Sequence, residues 1–236
     1  MSFPLNLSAD ELTAADLARF HMIEQQIRPW NVSDSRVLGL LAEVRRELFV
    51  PAGCEAMAFT DMELPLTADS EACARLGQVM LAPRVEARLL QDLQLQGDER
   101  VLEIGTGSGH MAALLAASSD QVVSLEIDAA LAQRARENLR AAGIVNVQVR
   151  QADGALDPIP DGPFDAIVLS GSVAEVPERL LALLRNGGRL AAIVGQQPMM
   201  RATFVRRRGD AFSTTQPWDL VVPRLQNFPE PSAFRF

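Results

Sequence analysis

Apolar and polar positions follow one rhythm in the first third of the chain and another in the rest. Over residues 9 to 28, Leu12, Leu17, Phe20, Ile23 and Ile27 recur at helical spacing, which predicts an amphipathic helix. Ser8, with Glu11 three places on, is a capping-box pair for its start. Arg28-Pro29-Trp30-Asn31 breaks the pattern. Ser33 opens a second predicted helix through Val37, Leu40, Leu41 and Val44, ending near Leu48, and Phe49-Val50-Pro51 leaves it extended. Residues 61 to 75 contain Pro65 and several small or acidic residues, as expected of a loop at the surface or beside a ligand. Gly77 to Pro83 is a short segment leading into a helix over Arg84 to Leu93.

Past Gly97-Asp98 short apolar runs take over. Val101 to Ile104, Gln121 to Ile127, Val147 to Arg150, Phe164 to Leu169 and Arg189 to Val194 read as buried strands. Between them, His110 to Ala117 and Pro177 to Leu184 read as helices, and Asn186-Gly187-Gly188 offers left-handed cap chemistry to the second. Residues 157 to 163 are a loop rich in Pro, Gly and Asp. Residues 202 to 207 and 212 to 220 flank Gly209-Asp210 as a hairpin. Alternating strands and helices predict an α/β fold with a doubly wound, mostly parallel sheet and helices on both faces. The expected organisation is an N-terminal helical and loop extension over residues 1–83, followed by a sheet domain over 84–236 that ends in a β-hairpin.

The chemistry gathers at Val101-Leu102-Glu103-Ile104-Gly105-Thr106-Gly107-Ser108-Gly109. A strand passing through a glycine loop into a helix brings backbone close to a nucleotide, and a Cβ in the loop holds the ligand off. The dinucleotide fingerprint places its third glycine one position later, at His110 here, and a P-loop requires a Lys that this chain lacks. The remaining pattern, Glu-x-Gly-x-Gly-x-Gly, resembles the first motif of class I S-adenosylmethionine-dependent methyltransferases. Glu126, with Ile127 after it, closes the next strand about 20 residues past the first glycine, where a ribose-binding carboxylate belongs. Asp153-Gly154 follows the third strand.

Composition narrows the function classes. The chain has 236 residues, 48% hydrophobic, with a net charge of -8. That charge argues against a general nucleic-acid binder, which needs phosphate-neutralising surface. All 22 basic residues are Arg, so no Lys serves as a Schiff base or catalytic amine. With only His21 and His110 a histidine-rich metal site is excluded, and no metal is expected. Cys54 and Cys73 form no C-x-x-C, no apolar run is long enough for a membrane span, and Met1 to Asp10 lacks the basic start of a leader. A cytoplasmic protein with free thiols is the expectation. His110 is expected to pack at a helix start, Trp30 and Trp218 to complete core or loop contacts, and Arg206-Arg207-Arg208 to lie at a solvated hairpin tip.

Over nearly its whole length the chain is similar to the protein-L-isoaspartate O-methyltransferases. Met22 to Arg28, Glu47-Leu48-Phe49-Val50-Pro51, Ala58-Phe59-Thr60-Asp61 and Leu64-Pro65-Leu66 resemble that family's N-terminal motifs. The glycine loop, Glu126, Asp153-Gly154, Phe164 to Ile167 and Gly187 to Leu190 follow its catalytic domain. The resemblance implies a Rossmann-like seven-stranded sheet and S-adenosyl-L-methionine as cofactor. It implies a cofactor site from Glu103, Gly105, Thr106, Gly107, Gly109, Glu126, Ile127, Asp153 and Gly154, with Asp153 on the adenine amino group. The implied reaction methylates the α-carboxylate of isoaspartyl residues in damaged proteins, so a protein or peptide partner is expected, and no nucleic acid or membrane.

One segment departs from the family. Its Gly-Gln-Thr-Ile-Ser-x-Pro reads here Gly77-Gln78-Val79-Met80-Leu81-Ala82-Pro83. Gln78 is kept and, with the position of Leu81, is the catalytic candidate the resemblance implies, while Val79 and Leu81 replace the two hydroxyl residues, Leu81 standing at the active-site Ser. A divergent methyltransferase acting on a small molecule, or a non-catalytic cofactor-binding protein of the same fold, therefore stays open beside the repair reaction. Base N-methylation is disfavoured because Leu169-Ser170-Gly171-Ser172 stands where Asp/Asn-Pro-Pro-Tyr/Phe belongs, and no Cys follows Pro there for C5 chemistry.

Overall fold

The computed structural model describes residues 13–230, so the expected cap pair Ser8 and Glu11 lies outside them. Within them the first helix, α1 (Ala14–Met22), starts later than the apolar spacing suggests. Thr13 is extended and forms a reciprocal capping box with Asp16, which satisfies two free amide donors. The helix then widens into a π turn over Ile23–Ile27 and tightens into a 3-10 turn over Arg28–Trp30. That change of pitch keeps both Ile23 and Ile27 buried. Helix α2 (Ser35–Glu43), capped by Asp34, is shorter than expected, and Arg46–Leu48 form a separate 3-10 turn.

The stretch expected to be irregular contains structure. Strand β1 (Leu64–Pro65) is followed by helix α3 (Ser70–Leu76), which Asp69 caps and Gly77 ends in the left-handed region at φ 69°. Strand β2 (Val79–Met80) pairs antiparallel with β1. Helix α4 (Pro83–Leu93) opens on Pro83, where a missing N–H costs nothing.

A seven-stranded sheet follows, as expected. Its elements in chain order are β3 (Arg100–Ile104), α5 (His110–Ala116), β4 (Gln121–Glu126), α6 (Ala129–Ala141), β5 (Val147–Gln151), β6 (Phe164–Val173), α7 (Glu178–Leu181), β7 (Leu184–Gln196), β8 (Met199–Arg208) and β9 (Ala211–Asp219). The spatial order is β5-β4-β3-β6-β7-β8-β9. The first five of these strands run parallel, and β8 and β9 form the expected antiparallel hairpin. Helix α6 is not among the predicted elements. Asn186-Gly187-Gly188 lies inside β7 rather than capping a helix, because Phe164 pairs with Leu184 while Ala166 pairs with Arg189, and the surplus residues bulge between them.

Alternate residues of the parallel strands face two cores. Val101, Val122, Ala166 and Ile193 pack toward α1, α2, α4 and α5, whereas Leu102, Leu125, Ile167 and Leu190 pack with Leu180 and Phe228. The chain moves outward through β4 and β5, then returns to start β6 on the other side of β3. Such a reversal opens a crevice at the carboxyl ends of the strands.

Candidate active site

A cleft with about 590 Å³ of space between its walls, part of it continuous with solvent, lies at that crevice. Its floor is the loop after β3. Gly105 and Gly107 take φ 94° and 52°, conformations that side chains resist. At Gly105 a Cβ would come within 2.9 Å of the Leu225 side chain. Glu126, at the tip of β4, turns its carboxylate back over this loop: Oε2 accepts the Gly107 N–H at 2.8 Å and Oε1 accepts the Asp128 N–H at 3.0 Å. Each oxygen keeps acceptor capacity for a further donor. Burial pushes the Glu126 carboxyl above its usual range, and the backbone donors pull it part of the way back.

Asp153 follows β5, with Oδ1 accepting the Ala155 N–H at 2.8 Å and Oδ2 accepting the Asn227 amide at 2.7 Å. Gly154 packs so closely on Ile104 that a Cβ there would collide with Cγ2. Ile104, Ile127, Leu131 and Phe228 add apolar wall. The opposite wall is Leu66, Leu76, Gly77, Gln78 and Val79, held by backbone pairing of Leu66 N–H with Gln78 O at 3.0 Å.

Six of the nine residues expected around a cofactor line this cleft: Gly105, Gly107, Glu126, Ile127, Asp153 and Gly154. Glu103, Thr106 and Gly109 do not. Glu103 is fully buried beneath the loop, accepting from Ser124 Oγ at 2.6 Å and Ser170 Oγ at 2.7 Å, and burial pushes its carboxyl up to about 8 against those donors. Thr106 Oγ1 joins the same network through Ser124 at 2.6 Å. Gly109 is the cap of α5, packed on Ala135 and Leu139 of α6.

Of the altered segment, Gln78 and Val79 face the cleft, and Leu81 does not. Leu81 is buried in the helical core, and its carbonyl accepts from Arg46 Nη2 at 2.7 Å. Arg46 also pairs with Glu86, whose carboxylate lies 2.9 Å from His110 Nδ1. Burial alone raises Glu86, but the neighbouring His110 and Arg46 outweigh it and hold the carboxyl low. Burial lowers His110, which packs edge-on against Phe49 at 5.4 Å. His110 therefore packs at the helix start, as expected. Trp30 lies under the Arg84 guanidinium at 4.4 Å as a surface contact, and Trp218, in β9, donates to Asp92 at 2.8 Å and packs half-buried against the helical core.

Among the cleft residues without an expected role are Ser170, Arg224, Leu225 and Phe228. Ser170 follows Leu169 within β6. The other three arrive from a segment without periodicity, so only long-range packing places them.

No helix among the described residues is long and apolar enough to cross a membrane, and no group of three or more His, Cys, Asp or Glu there is placed to hold a metal.

A family model for protein-L-isoaspartate(D-aspartate) O-methyltransferases matches residues 18–221. A protein-L-isoaspartate O-methyltransferase of Methanoculleus marisnigri is 41% identical over 192 residues, covering 81% of this chain and 84% of its own. That of Koribacter versatilis is 36% identical over 221 residues, 93% of this chain and 96% of its own. Among solved structures, a Plasmodium falciparum protein described as a protein-L-isoaspartate O-methyltransferase, in complex with S-adenosyl-L-homocysteine, superimposes with a TM-score of 0.73 at 18% identity. The match covers 91% of this chain and 99% of that one.

Proposed function

This chain belongs to the protein-L-isoaspartate O-methyltransferase family, and from that premise we propose that it methylates the α-carboxylate of isoaspartyl residues in proteins or peptides, in the cytoplasm. Residues 1–83 act as the substrate-facing extension and 84–236 as the domain that binds S-adenosyl-L-methionine.

The observation that carries this reading is the Glu126 carboxylate at the strand end, bound to the Gly107 amide and facing the cleft. Its residual acceptor capacity suits two ribose hydroxyls. Gly105 and Gly107 leave backbone open beneath the methionine portion, and Ile104, Ile127 and Phe228 suit the adenine faces, with Asp153-Gly154 at its edge. Glu103, Thr106 and Gly109 support the loop from below rather than touching the cofactor.

When bound, S-adenosylmethionine supplies a sulfonium methyl that passes to a carboxylate oxygen, the S–CH3 electron pair staying on sulfur and no proton moving. A carboxylate is already ionised at neutral pH, so the protein supplies no general base. It has to hold the reactants in line and keep water out, and alignment alone contributes roughly 7–11 kcal/mol to such a step. The wall from Leu66 to Val79 and the segment Arg224 to Phe228 enclose the space where that alignment takes place.

The test is transfer of a radiolabelled methyl group to a synthetic isoaspartyl peptide, counted as base-labile ester. The normal aspartyl peptide is the control. Label on the isoaspartyl peptide alone supports the reading, and no label on it, with cofactor binding intact, overturns it.

A further inference from the structure

Arg224 stands where the cofactor cleft meets a second groove of about 1190 Å³, and lines both. Its backbone is fixed. Leu225 N–H donates to Ser172 O at 2.9 Å and Ser172 N–H to Pro223 O at 2.8 Å. This joins Arg224 to the end of β6, with its carbonyl against Gly77 of the opposite wall. Of its guanidinium nitrogens, Nη2 donates to Gly195 O at 2.9 Å and Nε to the half-exposed Glu230 carboxylate at 2.6 Å. Nη1 is buried and has no hydrogen-bond partner among the described residues. An N–H kept from water and left unpaired is unfavourable, while the Arg224 side chain as a whole stays 27% exposed, so a ligand meets the guanidinium through its open part.

On the facing segment the side-chain donor at the cleft is the Gln78 amide, whose Nε2 leans on Asp128 Oδ2 at 3.4 Å, and the hydroxyls are gone. Val79 lines the cleft with its apolar side chain partly packed against the helical core, and Leu81 is in that core. Arg75, the other cation on the second groove among the described residues, is exposed and screened by solvent.

We propose that Arg224 is the counter-ion for the carboxylate that accepts the methyl group, the guanidinium facing one carboxylate oxygen while the other stays free to react. Arg224 is thus a substrate-binding residue that takes over from the missing hydroxyls. This rests on the carboxylate substrate proposed above. Glu230 holds the guanidinium in place from the outer side without using Nη1.

The charge pattern gives the effect a distinct kinetic form. Esterification removes the negative charge that Arg224 attracts, so the attraction is greatest before reaction and weakens toward the transition state. An interaction of that kind sets substrate affinity and does not raise turnover.

The test uses the full chain with Arg224→Leu and Arg224→Lys. Binding of an isoaspartyl peptide and of its α-carboxamide counterpart is measured by calorimetry with S-adenosylhomocysteine present, and KM and kcat are measured separately. The wild type is expected to prefer the carboxylate by tenfold or more. The Leu variant is expected to lose that preference, with KM raised about ten- to a hundredfold and kcat unchanged or slightly higher. The Lys variant should fall between them. Wild-type-like circular dichroism and a cooperative thermal transition show that the variants are folded. A Leu variant that keeps the preference, or a wild type with none, overturns the assignment of Arg224 even if methyl transfer is robust. Preference in the wild type that is lost in the Leu variant, with no methyl transfer in either, supports Arg224 and removes the repair reaction instead.

Discussion

The amide of Asn227 donates to the Asp153 carboxylate at 2.7 Å, across 74 residues of sequence. The same segment reaches the other wall through Gln226, whose Nε2 donates to Leu76 O at 3.3 Å. Just before these two anchors, Leu225 packs over Gly105 and Gly171. Residues 222–228 thus strap the glycine loop and join the two walls of the cleft.

If the strap is held in this way, Asn227→Asp should loosen it, replacing a donor by a second carboxylate beside Asp153. The pair is exposed, so the loss is about 1 kcal/mol. We expect faster tryptic cleavage after Arg224, and protection by added S-adenosylhomocysteine. A cleavage rate equal to the wild type's would mean that Asn227 does not fasten the segment.

Glu126→Ala removes a carboxylate acceptor from the proposed ribose position, a loss of roughly 1.5–3 kcal/mol and so about tenfold or more in cofactor affinity. Because burial raises the Glu126 carboxyl, cofactor binding by the wild type should weaken as pH falls, beginning above the ordinary carboxylate range. The Ala variant should show no such trend. Calorimetry over a pH series measures both, and equal affinities would remove Glu126 from the site.

How much of this was legible in the sequence follows from where each signal lies. β3, β4 and β6 are apolar runs bounded by glycine or charge, so the loop, Glu126 and the sheet class could be read locally. Helix α6 was not, because its buried face is Leu131, Ala132, Ala135 and Leu139 among Arg, Gln and Glu, and alanines carry little apolar contrast. Helix α3 is seven residues long, with Cys73 as its buried residue. The strap had no local signal at all, since Arg224, Leu225 and Asn227 acquire their positions from Ser172, Gly105 and Asp153. Leu81 shows the converse case. Alignment with a family Ser placed it at the chemistry, yet an apolar side chain beside α4 is better accommodated in the core.

The buried Glu103 should imprint a pH dependence on stability. Its carboxyl is pushed up to about 8 in the folded protein from an ordinary 4.5, so between those values the folded state holds a proton that the unfolded chain has lost. Stability from this group is therefore full below the ordinary value and declines as pH rises toward 8, by at most about 1.4 kcal/mol per pH unit. Urea unfolding from pH 5 to 8 should show the decline in the wild type and a flatter profile in Glu103→Gln. Parallel profiles would place the proton elsewhere.

Arg46 and Glu86 form an ion pair in the core, 2% and 3% exposed. Glu86→Ala strands the Arg46 charge and should cost about 3–5 kcal/mol. Replacing both by apolar residues of similar size should recover most of that loss. Thermal unfolding of the single and double variants decides it. A single variant as stable as the wild type would show that Arg46 finds another partner.

The altered segment offers the last test, and geometry separates its two substitutions. Val79 lines the cleft, so Val79→Thr swaps a methyl for a hydroxyl of nearly the same volume where a carboxylate substrate passes. A new donor to a charged acceptor contributes about 1.5–3 kcal/mol, and we expect kcat/KM on isoaspartyl peptides to rise about tenfold with cofactor affinity unchanged. Leu81→Ser acts differently: it opens a hole in the helical core and should destabilise by about 2–5 kcal/mol. The Leu81 carbonyl, held by Arg46, keeps the serine from simply turning toward the cleft. The double variant should then lose stability without exceeding the activity of Val79→Thr alone. If it surpasses the single variant, the segment moves when substrate binds, and position 81 comes to face the carboxylate only then. If Val79→Thr brings no gain, the substrate carboxylate passes out of reach of this wall and depends on the strap instead.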